Sequence, residues 1–492
     1  MTARSRLLRP GVVRAVSALG ILAALALAGW AGRAWWESRL PGTYDVMDYG
    51  QPDYGGGPHV AHAHERISVA TLHGPRGGTP DLQKTLTAAR SEIRLASGRR
   101  VDVLAFDGRV PGPELRVREG GLVAVTLVNR DVRPGVSIHW HGVDVPNAED
   151  GVSGVTQNAV PPGGRYTYRF RARQVGTFWY HSHQSSAKQV SRGLYGAFVV
   201  VPARKAAAAL DLTVAAHRLR GSDVLGTSDR LQRRAVAPGT RVRLRLVNTD
   251  DSPRRFTLAG APFRVVAIDG GDLRSPTAIA GQLLEVPAGS RFDVTFTMPP
   301  TPVTLQLVGT AAGIAFSRDG RIDVAAPNTS RVFDPAAYGA PNAARVPRKF
   351  DRSFRVDIGS RIAFRDGGIG KQWTMNDRVH PDVPMLVVRK GDWVKLTLTS
   401  DTRALHPMHL HGHHMLVLSR NGQAVQSPWW VDTVNLAKGD RYEVAFHATN
   451  PGLWMLHCHN LPHAADGLSL HLVYEGVHTP FRVGGRANNH PE

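Results

Sequence analysis

The feature that most restricts the fold is an internal repeat. "REGGLVAVTLVNRD" begins at Arg118, "APGTRVRLRLVNTD" at Ala237 and "RKGDWVKLTLTSDT" at Arg389. Aligned on Gly120, Gly239 and Gly391, each copy opens on a glycine turn and continues with apolar residues at alternate positions, the period of a strand. A second element follows in each copy: "PGGRYTYRF" at Pro162, "PAGSRFDVTF" at Pro287 and "AKGDRYEVAF" at Ala437. Three copies of one β-rich unit, with short strands between turns, read as three consecutive sandwich or barrel domains. A chain of 492 residues is long enough for three such cores.

Composition shifts divide the chain further. Residues 1–40 read as an export segment, 41–61 as a Gly-rich tether, 62–203 as the first unit and 204–325 as the second. Residues 326–348 read as a linker, 349–478 as the third unit and 479–492 as a loose Gly/Asn-rich tail. Within the export segment, Arg4, Arg6, Arg9 and Arg14 precede the uncharged stretch Ala15–Ala31, and Trp35 and Trp36 follow it. This pattern fits an uncleaved signal anchor, with the tryptophans at the outer interface. It also fits a signal peptide cleaved near Ala26-Leu27-Ala28. Both readings put the folded part outside the cytoplasm, membrane-anchored or secreted. The net charge of +20 is scattered along strands and not gathered into a basic arm, which argues for a generally basic surface and against nucleic acid.

The histidines follow the repeat. His181 and His183 lie 16 and 18 residues after Arg165, and His457 and His459 lie 16 and 18 after Arg441. The same steps from Arg291 in the middle copy reach Leu307 and Gly309. His139 and His141 follow Gly120 by 19 and 21 residues, and His409 and His411 follow Gly391 by 18 and 20. On a strand, positions i and i+2 face the same way, so each pair turns two imidazoles to one side. If the outer units pack together, eight neutral nitrogen ligands converge, with no acidic residue beside them in sequence. That donor set suits a cluster of copper, iron or zinc ions.

Cys458 is the only cysteine, so it has no disulfide partner in an exported chain. Lying between His457 and His459, it faces the opposite side of its strand. His463 follows it closely, and His406 lies three residues before His409. Two imidazoles and a thiolate make a mononuclear blue-copper arrangement.

With "HWHG" (His139–Gly142), "HSH" (His181–His183), "HPMHLHGH" (His406–His413) and "HCHNLPH" (His457–His463), the sequence resembles the multicopper oxidase family, over about residues 62–476. The resemblance implies an all-β fold of three consecutive cupredoxin-like Greek-key domains after the N-terminal apolar helix. It implies four copper ions. The type 1 ion would take His406, Cys458 and His463, and the type 2 ion His139 and His409. One type 3 ion would take His141, His181 and His459, and the other His183, His411 and His457. Electrons would pass from Cys458 through His457 and His459, and Asp150 in "NAEDGVSG" would supply protons.

Two positions depart from the family pattern. Leu468 stands ten residues after the cysteine, where many members carry an axial Met, so the axial position is non-coordinating and the type 1 potential is raised. Ala464 stands where some members carry an acid after the last type 1 histidine, and Asp466 is the nearby candidate to replace it.

The implied reaction is one-electron oxidation of phenols or aromatic amines, as in laccases, coupled to reduction of dioxygen to water. The rival is a metallo-oxidase acting on Cu(I), Fe(II) or Mn(II) for metal tolerance, and a remote alternative is a copper-free envelope scaffold. His59, His62 and His64 form a further His-bearing run, and His413, His414 and His447 are left over.

Overall fold

The structure, a computed structural model, describes residues 10–58, 66–204, 209–320, 330–341 and 346–492. His59, His62 and His64, and Arg4, Arg6 and Arg9, lie outside the described residues.

The repeat seen in the sequence is a repeat of strand pairing. In each unit the first element pairs antiparallel with the second: Leu122–Asn129 with Arg165–Arg171, Arg241–Asn248 with Arg291–Thr297, and Trp393–Ser400 with Arg441–His447. The register repeats as well, since Val128 faces Arg165, Val247 faces Arg291 and Thr399 faces Arg441. On its other edge each first element takes a parallel partner: Leu82–Arg94, Leu210–Leu219 or Arg352–Arg365. A second sheet closes each unit, and the alternating apolar residues fill the space between, as in packed sandwiches. The protein is all-β and cupredoxin-like, preceded by one apolar helix, α1 (Pro10–Glu37). Within α1, Arg14–Glu37 is long and apolar enough to cross a bilayer, and none of its apolar window is buried.

Parts of the Gly-rich tether, and of the tail read as loose, pair with the body of the fold. In the described part of the tether, Pro52–Asp53 adds a parallel strand beside Met385–Val388, and Arg352 donates to the Tyr54 carbonyl at 3.0 Å. The tail returns to the body: Val483–Gly484 pairs with Thr43–Tyr44, and Asn489 accepts from the Ala159 N–H at 2.8 Å. Gln184 donates to the Asn488 carbonyl at 2.7 Å. Gly and Asn here serve turns and side-chain hydrogen bonds that composition alone does not reveal.

Candidate metal centres

The strand His139–His141 pairs with Gly176–His181 so that His139 faces His181 and His141 faces Trp179. In the third unit, His406–Leu410 pairs with Leu453–Cys458 so that His409 faces His457. All eight imidazoles of the four His-x-His pairs therefore point into the junction of the first and third units, and all eight are buried. The residues between them point the other way. Trp140 packs among Tyr168, Phe170 and Phe198 in the first unit's core.

Cys458 faces its own site. Its sulfur lies 3.7 Å from His406 Nδ1 and 3.8 Å from His463 Nδ1. Ligands about 2.0 and 2.3 Å from a shared ion at a trigonal angle lie about 3.7 Å apart, so the three atoms fit one metal. The other ring nitrogen of His406 bonds the Thr402 hydroxyl at 2.6 Å, which leaves Nδ1 for the ion. Burial pushes the Cys458 thiol up and pulls His406 down to about 3. Metal binding there must therefore release the thiol proton, while the imidazole is already in its ligating form. Leu468 is fully buried beside this site; its carbonyl accepts from the Cys458 N–H at 3.0 Å and its N–H donates to His463 O at 2.9 Å.

In the eight-histidine cluster, one nitrogen of most rings is held by the protein and the other aims inward. The Nδ1 atoms of His139, His181, His183 and His409 bond the carbonyls of Asp150, Ser182, Pro491 and Asp432 at 2.8–3.0 Å. His141 is turned round, with Nε2 held by Asp432 Oδ1 at 3.1 Å. The inward atoms, His141 Nδ1 and the Nε2 atoms of His181, His183 and His459, are buried without hydrogen-bond partners. Buried nitrogens seldom lack partners, and unpartnered imidazole nitrogens in a cluster where His139, His141 and His181 form one close group and His183, His411 and His457 another have the chemistry of metal ligands. His411 Nε2 and His457 Nε2 face each other at 3.1 Å, a separation suited to two ligands of one ion. Burial, reinforced by neighbouring rings, holds His181, His183, His411 and His459 well below the ordinary imidazole value, so they are neutral ligands.

Carboxylates surround the cluster although none flanks the histidines in sequence. Asp150 reaches His139 Nδ1 at 3.1 Å and His411 Nδ1 at 3.0 Å. Burial pushes its carboxyl above the ordinary value, partly offset by His139. Asp432 holds His141 and receives two hydrogen bonds from Arg291, at 2.9 and 2.7 Å. Burial works against its ionised form, but Arg291 and His141 outweigh it and keep Asp432 well below the usual range. Glu492 Oε1 lies 3.0 Å from His457 Nδ1, and Ser186 donates to its Oε2 at 2.7 Å. It lines a cavity of about 190 Å³ that Ala464 also lines. Asp466, the expected replacement acid, is exposed at the end of the helix Leu461–Ala465. Of these two acids, Glu492 is the one beside a cluster histidine, His457.

The middle unit has no histidine pair, but it buttresses the cluster. Arg291, the residue in register with Arg165 and Arg441, is buried and reaches Asp432 across the unit boundary. Gly289 (φ +82°) lies so close that a Cβ there would meet His459 at 2.8 Å and His141 at 3.0 Å. Gly142, which ends "HWHG", faces the Arg291–Asp432 pair at a distance no Cβ tolerates. Of the leftover histidines, His413 bonds the Tyr474 hydroxyl at 2.8 Å and His447 stacks on Trp393. His414 Nδ1 pairs with Asp144 at 3.1 Å; burial lowers its pKa, but Asp144 more than offsets this and the net shift is upward.

Residues 87–205 and 360–476 each match the multicopper oxidase family. Laccase-1 of Botryotinia fuckeliana is 26% identical over 462 residues, covering 77% of this chain and 79% of its own. Multicopper oxidase MmcO of Mycobacterium tuberculosis is 27% identical over 488 residues, covering 86% and 92%. A solved multicopper oxidase from Pseudomonas thermotolerans aligns with TM-score 0.65 at 27% identity, over 80% of this chain and 98% of that one.

Proposed function

Because the chain belongs to the multicopper oxidase family, oxidoreductases that carry four copper ions, we propose that it oxidises phenols and aromatic amines and reduces dioxygen to water. His406, Cys458 and His463 hold the type 1 ion, and His139 and His409 the type 2 ion. His141, His181 and His459 hold one type 3 ion, and His183, His411 and His457 the other. Bound there, copper supplies the one-electron couple and the centre for dioxygen reduction.

The chain's own residues do the rest. Cys458 ties the two centres together covalently, because its neighbours His457 and His459 belong to the type 3 pair. Asp150 and Asp432 fix ring orientations from the outer nitrogens, as carboxylates behind metal-binding histidines do, and Glu492 stands beside the outer nitrogen of His457. Asp150, bonded to rings of two different ions, is the carboxylate placed to hold a proton for the water-forming reaction. Folded outside the cytoplasm, the protein is held at the membrane by α1.

The observation that carries the aromatic reading is Trp373. Its ring lies 5.0 Å from that of His406 and 4.4 Å from that of His463, so a nearly buried indole packs on both type 1 imidazoles. Lys371 Nζ stands 4.4 Å above the indole and disfavours a metal cation there. A metal-ion substrate keeps one supporting observation, the charges of Asp466 and Asp251 acting on His463. Oxygen uptake by the copper-loaded protein with 2,6-dimethoxyphenol, Cu(I), Fe(II) and Mn(II) tests the proposal. It predicts the highest kcat/KM for the phenol, and a tenfold preference for any of the metal ions would overturn it.

A further inference from the structure

We propose that the cleft between the end of α1 and the hairpin Arg352–Met375 admits a bilayer-partitioned reductant, a hydroquinone with an alkyl tail, to the type 1 face. The proposal rests on the phenol-oxidase reading above and names where that substrate comes from.

The hairpin runs from the copper site to the helix. Its strands pair Ile358 with Met375, Ser360 with Trp373, Ile362 with Lys371 and Phe364 with Ile369, so these residues share one face. Ile358 and Met375 are buried in the third unit's core. Trp373, one step outward, lies on the rings of His406 and His463. Beyond it Ile362 is 72% exposed and Ile369 is 68% exposed. Outside α1, no other large apolar side chain among the described residues is as exposed. Two isoleucines left in water forgo most of the burial that stabilises such side chains, a loss that vanishes where lipid or an apolar ligand covers them.

The hairpin tip is fastened to the apolar helix. Trp35 Nε1 donates to the Gly367 carbonyl at 2.9 Å, the Asp366 N–H to the Ser38 carbonyl at 2.8 Å, and the Gly367 N–H to Ser38 Oγ at 3.1 Å. The opposite flank is tied to the copper site, since Arg365 donates to the Ala465 carbonyl, two residues past His463, at 2.7 Å. Between helix and hairpin lies a cavity of about 390 Å³, lined by Trp30 and Ala34 from α1, by Ser38 just beyond it, and by Ile362, Phe364 and Pro381, with the charged Glu37, Arg361, Arg378 and Asp382 around them. That volume suits one substituted aromatic ring. Trp30, Trp35 and Trp36 mark the interfacial end of the membrane-spanning stretch, so the cavity opens where the helix leaves the bilayer. From Ile362 the shared face leads through Lys371 to Trp373, about 7 Å along the strand. The reaction balances with dioxygen as the oxidant: each hydroquinone gives up two electrons and two protons in single-electron steps. Two hydroquinones and one dioxygen thus give two quinones and two waters.

The test uses the full chain in phosphatidylethanolamine/phosphatidylglycerol vesicles, photolabelled with an azido-benzoquinone carrying a decyl chain. Labelled peptides from both 30–38 and 362–369 are expected, in copper-free as well as copper-loaded protein. I362D/I369D lowers that labelling about fivefold. It also lowers the ratio of kcat/KM for decylhydroquinone to that for unsubstituted hydroquinone about tenfold, while I362L keeps both near the starting values. Labelling elsewhere, an unchanged ratio, or a membrane-extracted protein whose mass lacks residues 10–37 overturns the proposal. If the copper-loaded protein oxidises neither hydroquinone, the phenol-oxidase reading fails, and the copper-free labelling still decides whether the cleft binds the quinone.

Discussion

Replacing Arg291 with methionine tests whether the middle unit holds the histidine cluster together. The guanidinium is 1% exposed and makes two hydrogen bonds to Asp432, one to the Thr177 carbonyl at 2.9 Å and one to the Gly289 carbonyl at 3.3 Å. Without it, Asp432 Oδ1 keeps His141 and Thr433, whereas Oδ2 keeps only His414 Nε2 at 3.9 Å, beyond hydrogen-bond reach. A buried charge stripped of its partner costs about 3–5 kcal/mol. In a cooperative unit of this size, that lowers the thermal unfolding midpoint by roughly 6–20 °C. The double variant R291M/D432L removes both charges, so its midpoint returns most of the way. Its copper content does not, because His141 loses the carboxylate that holds its Nε2. Scanning calorimetry with copper analysis reads both effects. An R291M midpoint within about 2 °C of the parent, or a double variant no more stable than the single, would refute the reasoning.

Cys458→Ser is expected to abolish the blue absorption and substrate oxidation while far-ultraviolet circular dichroism stays unchanged; a variant that remains blue contradicts the sulfur's assignment. Leu468→Met is expected to lower the type 1 potential in a redox titration, and an unchanged or higher value argues against Leu468 as the axial residue. Burial pulls His217 and His471 down to about 4 and His380 to about 3, so the folded state excludes protons that the unfolded chain binds below about 6.5. Stability is therefore lost as pH falls from about 6.5 towards 4, by up to about 4 kcal/mol per pH unit for the three together; a flat denaturation midpoint across that range contradicts this. Stripping copper with a chelator leaves the inward imidazole nitrogens without partners, so the copper-free protein unfolds at lower temperature, and equal midpoints would count against the ligand set.

The repeat was legible because it is local: a glycine turn and an alternating strand carry the same register into all three units. The cysteine's separation from its flanking histidines was legible for a similar reason, since alternation along a strand needs no knowledge of the partner strand. Asp432 was not. It stands in "WWVDTVNL", with no spacing relation to any histidine, and becomes significant only when its strand crosses to Arg291. Arg291 itself marked the middle copy, the one without histidines. Its role in the cluster needs the packing of three units and not the pattern of one. Glu492 was hidden by composition, because a Gly/Asn-rich tail looks loose until the donors of the body that it satisfies are known.

The strand Leu453–Cys458 explains why one segment serves two metal centres. A typical antiparallel strand has one wet face, and a metal site on its dry face would leave the alternate residues in water. Here every residue of the strand is buried, because its two faces meet different parts of the molecule. His457, with His459 just beyond the strand, turns towards the first unit, and Cys458 turns towards the third unit's own core beneath Trp373. Burial on both sides desolvates the thiol and the imidazoles together. That cost is tolerable only where each group has a cation to bind or a neutral form to adopt. The same double burial brings the two centres within one residue of each other, with the indole of Trp373 at the outer end and Asp150 at the inner. On the proposed reading, electron entry and proton supply are thereby kept on opposite faces of a single strand.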